Sequence, residues 1–258
     1  MANPSTSALL LDLDGTLAPI VARPQDARII DGAREHVIRI CERLSLVAFV
    51  SGRGLGDLER IVNIDGCAYA GNHGFEVHPL GAAPKTAEAA LPWLPVIDDL
   101  AARWTPAVLG PAGLTLETKG ATFSVHWRTA PDHDRAQRVL HDRLAPEAEK
   151  AGLVVTWGRL VMEVRPPVEI NKGTAVRELV GSGGILHAAY VGDDRTDVDA
   201  WHALRDLRAA GVLETAIAIG VASAETPDIA READVVIDSP GAVRDLLGVL
   251  AERLDSVG

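Results

Sequence analysis

Short apolar runs alternate with amphipathic stretches at both ends of the chain, and a different pattern breaks them in the middle. That order constrains the fold most. Ala8–Asp12, Leu46–Val50 and Cys67–Ala70 are apolar runs of buried-strand type. Between them, Ile30–Leu44 places Ile30, Ala33, Val37, Ile40 and Leu44 at helical spacing, and Leu55–Ile61 suits a short helix. The alternation returns at Asn171, with a helix starting near Lys172 and strands at Ala188–Val191, Ala216–Ile219 and Val235–Ile237. Gly241–Leu254 reads as the last helix. Strands alternating with helices predict a parallel sheet with crossover helices, an α/β fold.

The middle reads differently. Pro79 to Pro95 is rich in proline and alanine, as a connection would be. A helix is expected over Trp93–Trp104, then a hairpin of Thr115–Thr118 and Thr122–Trp127 turning at Lys119-Gly120. A second helix, His133–Ala151, precedes a second hairpin, Val154–Trp157 and Leu160–Val164. Helix, two strands, helix, two strands make a small α+β module, left again at Pro166-Pro167.

Composition narrows the function classes. The net charge of −11 argues against nucleic acid, whose partners carry a basic footprint. No apolar run approaches the roughly 18 residues of a membrane span, so no membrane partner is expected. The opening Met-Ala-Asn-Pro-Ser-Thr-Ser lacks the features of an export signal, which leads to a cytoplasmic expectation. Two cysteines, Cys41 and Cys67, are too few for a disulfide framework and read as reduced thiols.

Ligands of an open parallel sheet bind at the carboxyl ends of its strands. Four such positions carry chemistry: Asp12-Leu13-Asp14-Gly15-Thr16, Ser51-Gly52-Arg53, Lys172, and Gly192-Asp193-Asp194-Arg195-Thr196-Asp197. Each alone has an ordinary reading. Acidic residues after a strand cap helices, Ser-Gly makes turns, and a single lysine is usually solvated. Asp12 and Asp14 are harder to dismiss, because two carboxylates crowded past one strand repel unless a cation lies between them. Mg²⁺, a hard ion with oxygen ligands, suits such a site beside a phosphate. Asp193 could complete the cage, while Ser51 and Lys172 would serve phosphate oxygens. Lys172 is one of only four lysines among 25 basic residues, which singles out a compact point charge. Together these pieces describe phosphoryl transfer to a carboxylate nucleophile.

The set Asp12-x-Asp14-Gly15-Thr16, Ser51, Lys172 and Gly192-Asp193-Asp194-x-x-Asp197 resembles the phosphatase branch of the haloacid dehalogenase (HAD) superfamily. Asp14 argues against the dehalogenases, and Leu13 against the P-type ATPases. The resemblance implies a Rossmann-like HAD core, residues 1–78 and 168–258, with an inserted α+β type 2 cap, residues 79–167. Asp12 and Ser51 lie 39 residues apart and leave no room for a cap, whereas the 121 residues from Ser51 to Lys172 accommodate one.

Within that superfamily the chain looks like the trehalose-6-phosphate phosphatases. The matching segments are Gly71–Glu76, Leu116–Gly120 with Ser124–Arg128, Met162–Pro167, Asn171–Gly173 and Ile219–Val221. Val198 stands where that family commonly has glutamate. The resemblance implies Asp12 as nucleophile and Asp14 as acid and base. It implies Ser51, Gly52 and Lys172 for phosphate, and Mg²⁺ on Asp12, Asp193 and the Asp14 main-chain carbonyl. Asp194 and Asp197 would act through water or by orienting Lys172. Glu117, Lys119, Arg128 and Glu163 of the cap, with Asn72 and His73 of the core, would contact the sugar. Trp127 reads as packing, and His126 and Arg53 are left without a role. The partner expected is a small sugar phosphate and the state a monomer. Cap motion is expected at Val77–Pro84 and Pro166–Asn171. Glucosylglycerate, mannosylglycerate, glucosylglycerol and validoxylamine phosphates stay open as substrates, and so does a sensor without catalysis.

Overall fold

The structure, a computed structural model, describes residues 3–21, 24–181, 184–223, 229 and 231–256. Met1 and Ala2 of the opening segment lie outside them. The first elements are β1 (Ser7–Leu11), α1 (Ala33–Cys41), β2 (Leu46–Val50), α2 (Leu55–Val62), β3 (Ala68–Gly71), β4 (Glu76–His78) and β5 (Lys85–Thr86). The middle holds α3 (Leu94–Arg103), α4 (Pro106–Leu109), β6 (Thr115–Thr118), β7 (Phe123–His126), α5 (His133–Val139), α6 (Ala145–Lys150), β8 (Val154–Gly158) and β9 (Val161–Arg165). The chain ends with α7 (Lys172–Gly181), β10 (His187–Gly192), α8 (Arg195–Ala209), β11 (Thr215–Val221), β12 (Val235–Ile237) and α9 (Pro240–Asp255).

Two compact units result, Met1–Lys85 with Ile170–Gly258, and Thr86–Glu169. The crossings expected at 78/79 and 167/168 compare with divisions at 85/86 and 169/170. Among the described residues, the first unit's sheet runs β12-β11-β10-β1-β2-β3-β4-β5. Its strands are parallel from β12 to β3, and β4 is antiparallel to β3. Every residue of β1 and β2 is buried because both faces are covered. Leu9 and Leu11 join Val47, Phe49 and Val191 in a core with α1, α2 and α9. Ala8 and Leu10 point the other way, into a second core with Val176 and Leu179 of α7 and Trp201 and Leu204 of α8. Two-sided burial explains why these strands read as continuous apolar runs.

The inserted unit has a four-stranded antiparallel sheet, β6-β7-β9-β8. Phe123, Val125, Met162 and Val164 of one face pack on Ile97, Leu100, Leu140 and Leu144. Trp127 lies in this core, as its packing reading anticipates. The helix expected over His133–Ala151 contains a π-helical stretch, Leu140–Leu144, between α5 and α6. Pro146 in the first turn of α6 explains it: proline offers no N–H and its ring crowds the carbonyl four residues back.

Elements the sequence pattern left unassigned are instructive. Helix α8 buries mainly small residues, Ala200 and Ala203, beside Trp201 and Leu204, so its apolar stripe is weak. Strands β4 and β5 are too short for a period to register. No helix among the described residues is long and apolar enough to cross a membrane.

Candidate active site

Strand β1 is central, and its neighbours place the site. Leu11 pairs with Val191 of β10 on one side and with Phe49 of β2 on the other. Asp12 follows directly, its N–H donating to the Val191 carbonyl at 2.9 Å. Asp193 and Ser51 therefore each emerge at the carboxyl end of a strand flanking Asp12. Lys172, the first residue of α7, reaches into the same place and is 2% exposed. Its Nζ donates to Asp12 Oδ1 at 2.8 Å and to Asp197 Oδ1 at 2.6 Å.

Asp197 owes its position to a capping box at the start of α8. Its Oδ2 accepts the N–H groups of Asp193 and Asp194 at 3.0 and 2.9 Å, and its Oδ1 also accepts the Tyr190 hydroxyl at 2.7 Å. Tyr190 was not foreseen. The available signal was a polar-tipped aromatic in an otherwise apolar buried strand, which must find a partner. Asp194 is exposed and serves as the N-cap of α8, accepting the Arg195 N–H at 2.7 Å. Two glycines allow the close packing. A Cβ on Gly15, where φ is +82°, would stand 2.0 Å from Asp193 Oδ2, and one on Gly192 would stand 2.3 Å from the Asp197 carboxyl carbon.

Asp14 faces elsewhere. Its carboxylate accepts from Arg53 Nε at 2.6 Å and from a terminal guanidinium nitrogen at 2.8 Å, a two-bond clamp. Arg53 also reaches Asp57 at 2.8 Å. Burial alone would lower the Arg53 pKa, yet the bonds to Asp14 and Asp57 outweigh it and raise it. Arg53, which sequence reasoning left without a role, is thus the direct partner of Asp14. The loop after β3 is tied to this segment: Asn72 N–H donates to the Arg53 carbonyl at 2.5 Å, and His73 N–H to the Ser51 carbonyl at 2.9 Å. Both residues hold left-handed backbone, φ 53° and 57°, an uncommon conformation outside glycine. A Cβ on Gly52 would come within 2.6 Å of the His73 ring.

The buried charges are unequal, three carboxylates to one ammonium. Burial pushes the Asp12 pKa well above its ordinary value; Lys172 opposes this, and Asp197 and Asp193 add to it. Asp193 is raised to about 7, by burial first and then by Asp197. Burial would lower the Lys172 pKa, but Asp12 and Asp197 outweigh that and raise it. Asp12, Asp193 and Asp197 each bring one carboxylate oxygen within 4.8 Å of the others. Asp197 already accepts four hydrogen bonds, which leaves Asp12 and Asp193 as the carboxylates needing another cation. A hard divalent ion fits that donor chemistry. The Asp14 side chain lies outside this carboxylate group, so Asp14 could serve a metal only through its carbonyl.

In the inserted unit the polar face of the sheet carries Glu117 and Glu163, with Lys119 just past β6. Glu117, Ser124, Glu163 and Thr156 form one row across four strands. Lys119 Nζ lies 3.4 Å from Glu163 Oε1, and His126 Nε2 lies 2.6 Å from Glu117 Oε2. The Ser124 hydroxyl is buried between the two glutamates in register and has no hydrogen-bond partner among the described residues. Arg128 lies just past β7 and is exposed. The residues expected to contact the sugar fall in two groups, Asn72 and His73 in the first unit and Glu117, Lys119, Arg128 and Glu163 in the second.

The parallel sheet with Asp12 at the end of its central strand defines a HAD-like fold. A haloacid dehalogenase-like hydrolase from Bacteroides thetaiotaomicron shares it, at 16% identity, TM-score 0.65 and coverage of 95% of this chain and 100% of that one. A trehalose-6-phosphate phosphatase related protein is more similar, at 23% identity and TM-score 0.80, covering 97% and 100%. The trehalose-phosphatase family model matches residues 10–240, and the chain belongs to that family. A trehalose-phosphate phosphatase of Mycobacterium avium is 34% identical over 254 residues, 96% of this chain and 63% of that protein. A protein of Mycobacterium tuberculosis named as an uncharacterized glycosyl hydrolase is 38% identical over 206 residues, 77% of this chain but 15% of its own length. The chain thus spans less than two thirds of these curated relatives.

Proposed function

We propose that this chain hydrolyses trehalose 6-phosphate to trehalose and inorganic phosphate. The observation that carries the reading is the buried Asp12 with Lys172 at 2.8 Å and Asp193 beside it. In the first step an Asp12 oxygen attacks phosphorus in line. The bond from phosphorus to the sugar oxygen breaks, leaving an aspartyl-phosphate. Asp14 protonates the departing oxygen, then takes a proton from the water that attacks the same phosphorus, releasing phosphate and restoring Asp12. Arg53 holds the Asp14 carboxylate in this structure, and Asp14 acts on the departing oxygen when that clamp opens. Lys172, Ser51 and the Gly52 N–H hold the phosphoryl oxygens, and Asp197 holds Lys172.

Asp12, Asp193 and the Asp14 carbonyl would hold Mg²⁺, which would offset negative charge between nucleophile and phosphate. Glu117, Lys119, Arg128 and Glu163, with Asn72 and His73, would read sugar hydroxyls. Their charged groups suit a neutral disaccharide.

The test is phosphate release, with and without Mg²⁺, from trehalose 6-phosphate beside glucose 6-phosphate and the glucosylglycerate, glucosylglycerol and validoxylamine phosphates. Preference for trehalose 6-phosphate is expected. Metal-dependent release favouring another compound would overturn the sugar assignment alone. No release from any of them would overturn catalysis.

A further inference from the structure

Cys41 and Cys67 take no part in this chemistry, yet they are built as a pair. Cys41 is the last residue of α1, and Cys67 directly precedes β3. Their Sγ atoms lie 2.8 Å apart, well inside the ~3.5 Å and more of ordinary heavy-atom contact. A disulfide needs about 2.05 Å, so under about 1 Å of further approach would complete one. The two differ in access: Cys41 is partly exposed, whereas Cys67 sits in the core with Tyr69 and Ile61. They also differ in acidity. The hydrogen bond with Cys67 lowers the Cys41 pKa against the pull of burial, and the same bond, with burial, raises that of Cys67. A reachable, more acidic thiol backed by a buried one is the arrangement of an attacking and a resolving cysteine.

We propose that Cys41 and Cys67 form a redox modification site, at which a peroxide-class oxidant makes an intramolecular disulfide joining the end of α1 to the start of β3. The Cys41 thiolate attacks a peroxide oxygen, the O–O bond breaks, and Cys41 becomes a sulfenic acid with release of hydroxide. The Cys67 sulfur then attacks the Cys41 sulfur. The S–S bond forms, the S–O bond breaks, and the Cys67 proton leaves with the departing oxygen as water. In sum, two thiols are oxidised and one peroxide is reduced to two waters.

The bridge closes a loop holding β2, Ser51–Arg53 and α2. Cys67 lies at the amino end of β3, away from the strand ends that carry Asp12 and Ser51. The disulfide should therefore stabilise the unit without altering phosphate release, since a cross-link acts mainly by restricting the unfolded chain.

The full chain, fully reduced, is treated with hydrogen peroxide and then catalase. Intact mass should show loss of two hydrogens on a monomer. The melting temperature should rise by roughly 5–10 °C over the reduced protein. Dithiothreitol should reverse both changes. Cys41→Ala, at a partly exposed position, should fold, keep phosphatase activity and show neither change, and Cys67→Ala should agree if it folds. Oxygen added to Cys41 in place of hydrogen loss, bridging between chains, or a disulfide that leaves the melting temperature unmoved would overturn the proposal.

Discussion

The two units hold their charges in opposite ways. In the core, Lys172 and Asp197 are buried at 2% and 0% exposure, and every acceptor of Asp197 is engaged. In the insert, Glu117 and His126 pair with side chains 37% and 29% exposed, and Lys119 and Glu163 are also partly exposed. Buried charges cannot exchange partners without leaving another charge unpaired at a cost of several kcal/mol, so they keep one geometry. Partly exposed pairs contribute little to stability and can give up a partner for an arriving hydroxyl. The core is suited to chemistry that needs fixed atoms, and the insert to recognition.

That contrast ranks the expected effects. Asp12→Asn removes the nucleophile while keeping its shape, so turnover should fall by roughly 10⁴-fold or more with the melting temperature little changed. Steady-state kinetics beside a thermal melt would check it; activity within about a hundredfold of the parent would break the assignment. Next comes metal removal. Chelation by EDTA should lower activity by about 10³-fold, and Mg²⁺ should restore it, because the single Lys172 charge does not offset Asp12, Asp193 and Asp197 together. Full activity after exhaustive dialysis against chelator would remove the cation from this site. Lys172→Ala is third and acts on the fold as well. It strands Asp12 and Asp197 as buried carboxylates, and urea denaturation should show about 3–5 kcal/mol less stability. A loss below about 1 kcal/mol would mean that the core network is not fixed as described.

Legibility in the sequence follows the same division. The strand Leu46–Val50 coincides with its apolar run because burial on both faces writes directly into composition, and Thr115–Thr118 and Val235–Ile237 coincide with theirs although their residues are exposed or half-buried. Asp12, Lys172, Asp193 and Asp197 were legible because strand ends and helix starts converge in a parallel sheet, and the structure brings these four together. The partners of those residues were not. Arg53 meets Asp14 across 39 residues, and Tyr190 meets Asp197 from a strand into a helix, pairings that no local period encodes. Asp194 and Asp197 look alike in sequence, yet capping leaves one exposed and buries the other.

The smallest effect sharpens the contrast most, because it separates recognition from chemistry. Glu163→Gln keeps size and removes the charge that faces Lys119 at 3.4 Å. A charge-assisted hydrogen bond to a sugar hydroxyl contributes about 1.5–3 kcal/mol, so kcat/KM for trehalose 6-phosphate should fall about 10- to 100-fold. Stability should move by less than about 1 kcal/mol, since the pair is partly exposed. A small aryl phosphate offers no sugar to the insert, and its hydrolysis should be unchanged. The ratio of the two substrates is therefore the informative quantity. Equal losses on both would mean that Glu163 supports the chemistry or the fold, and the division of labour between the units would fail at that residue. A loss confined to the sugar phosphate, strongest in KM, would assign the polar row Glu117–Ser124–Glu163 to substrate selection.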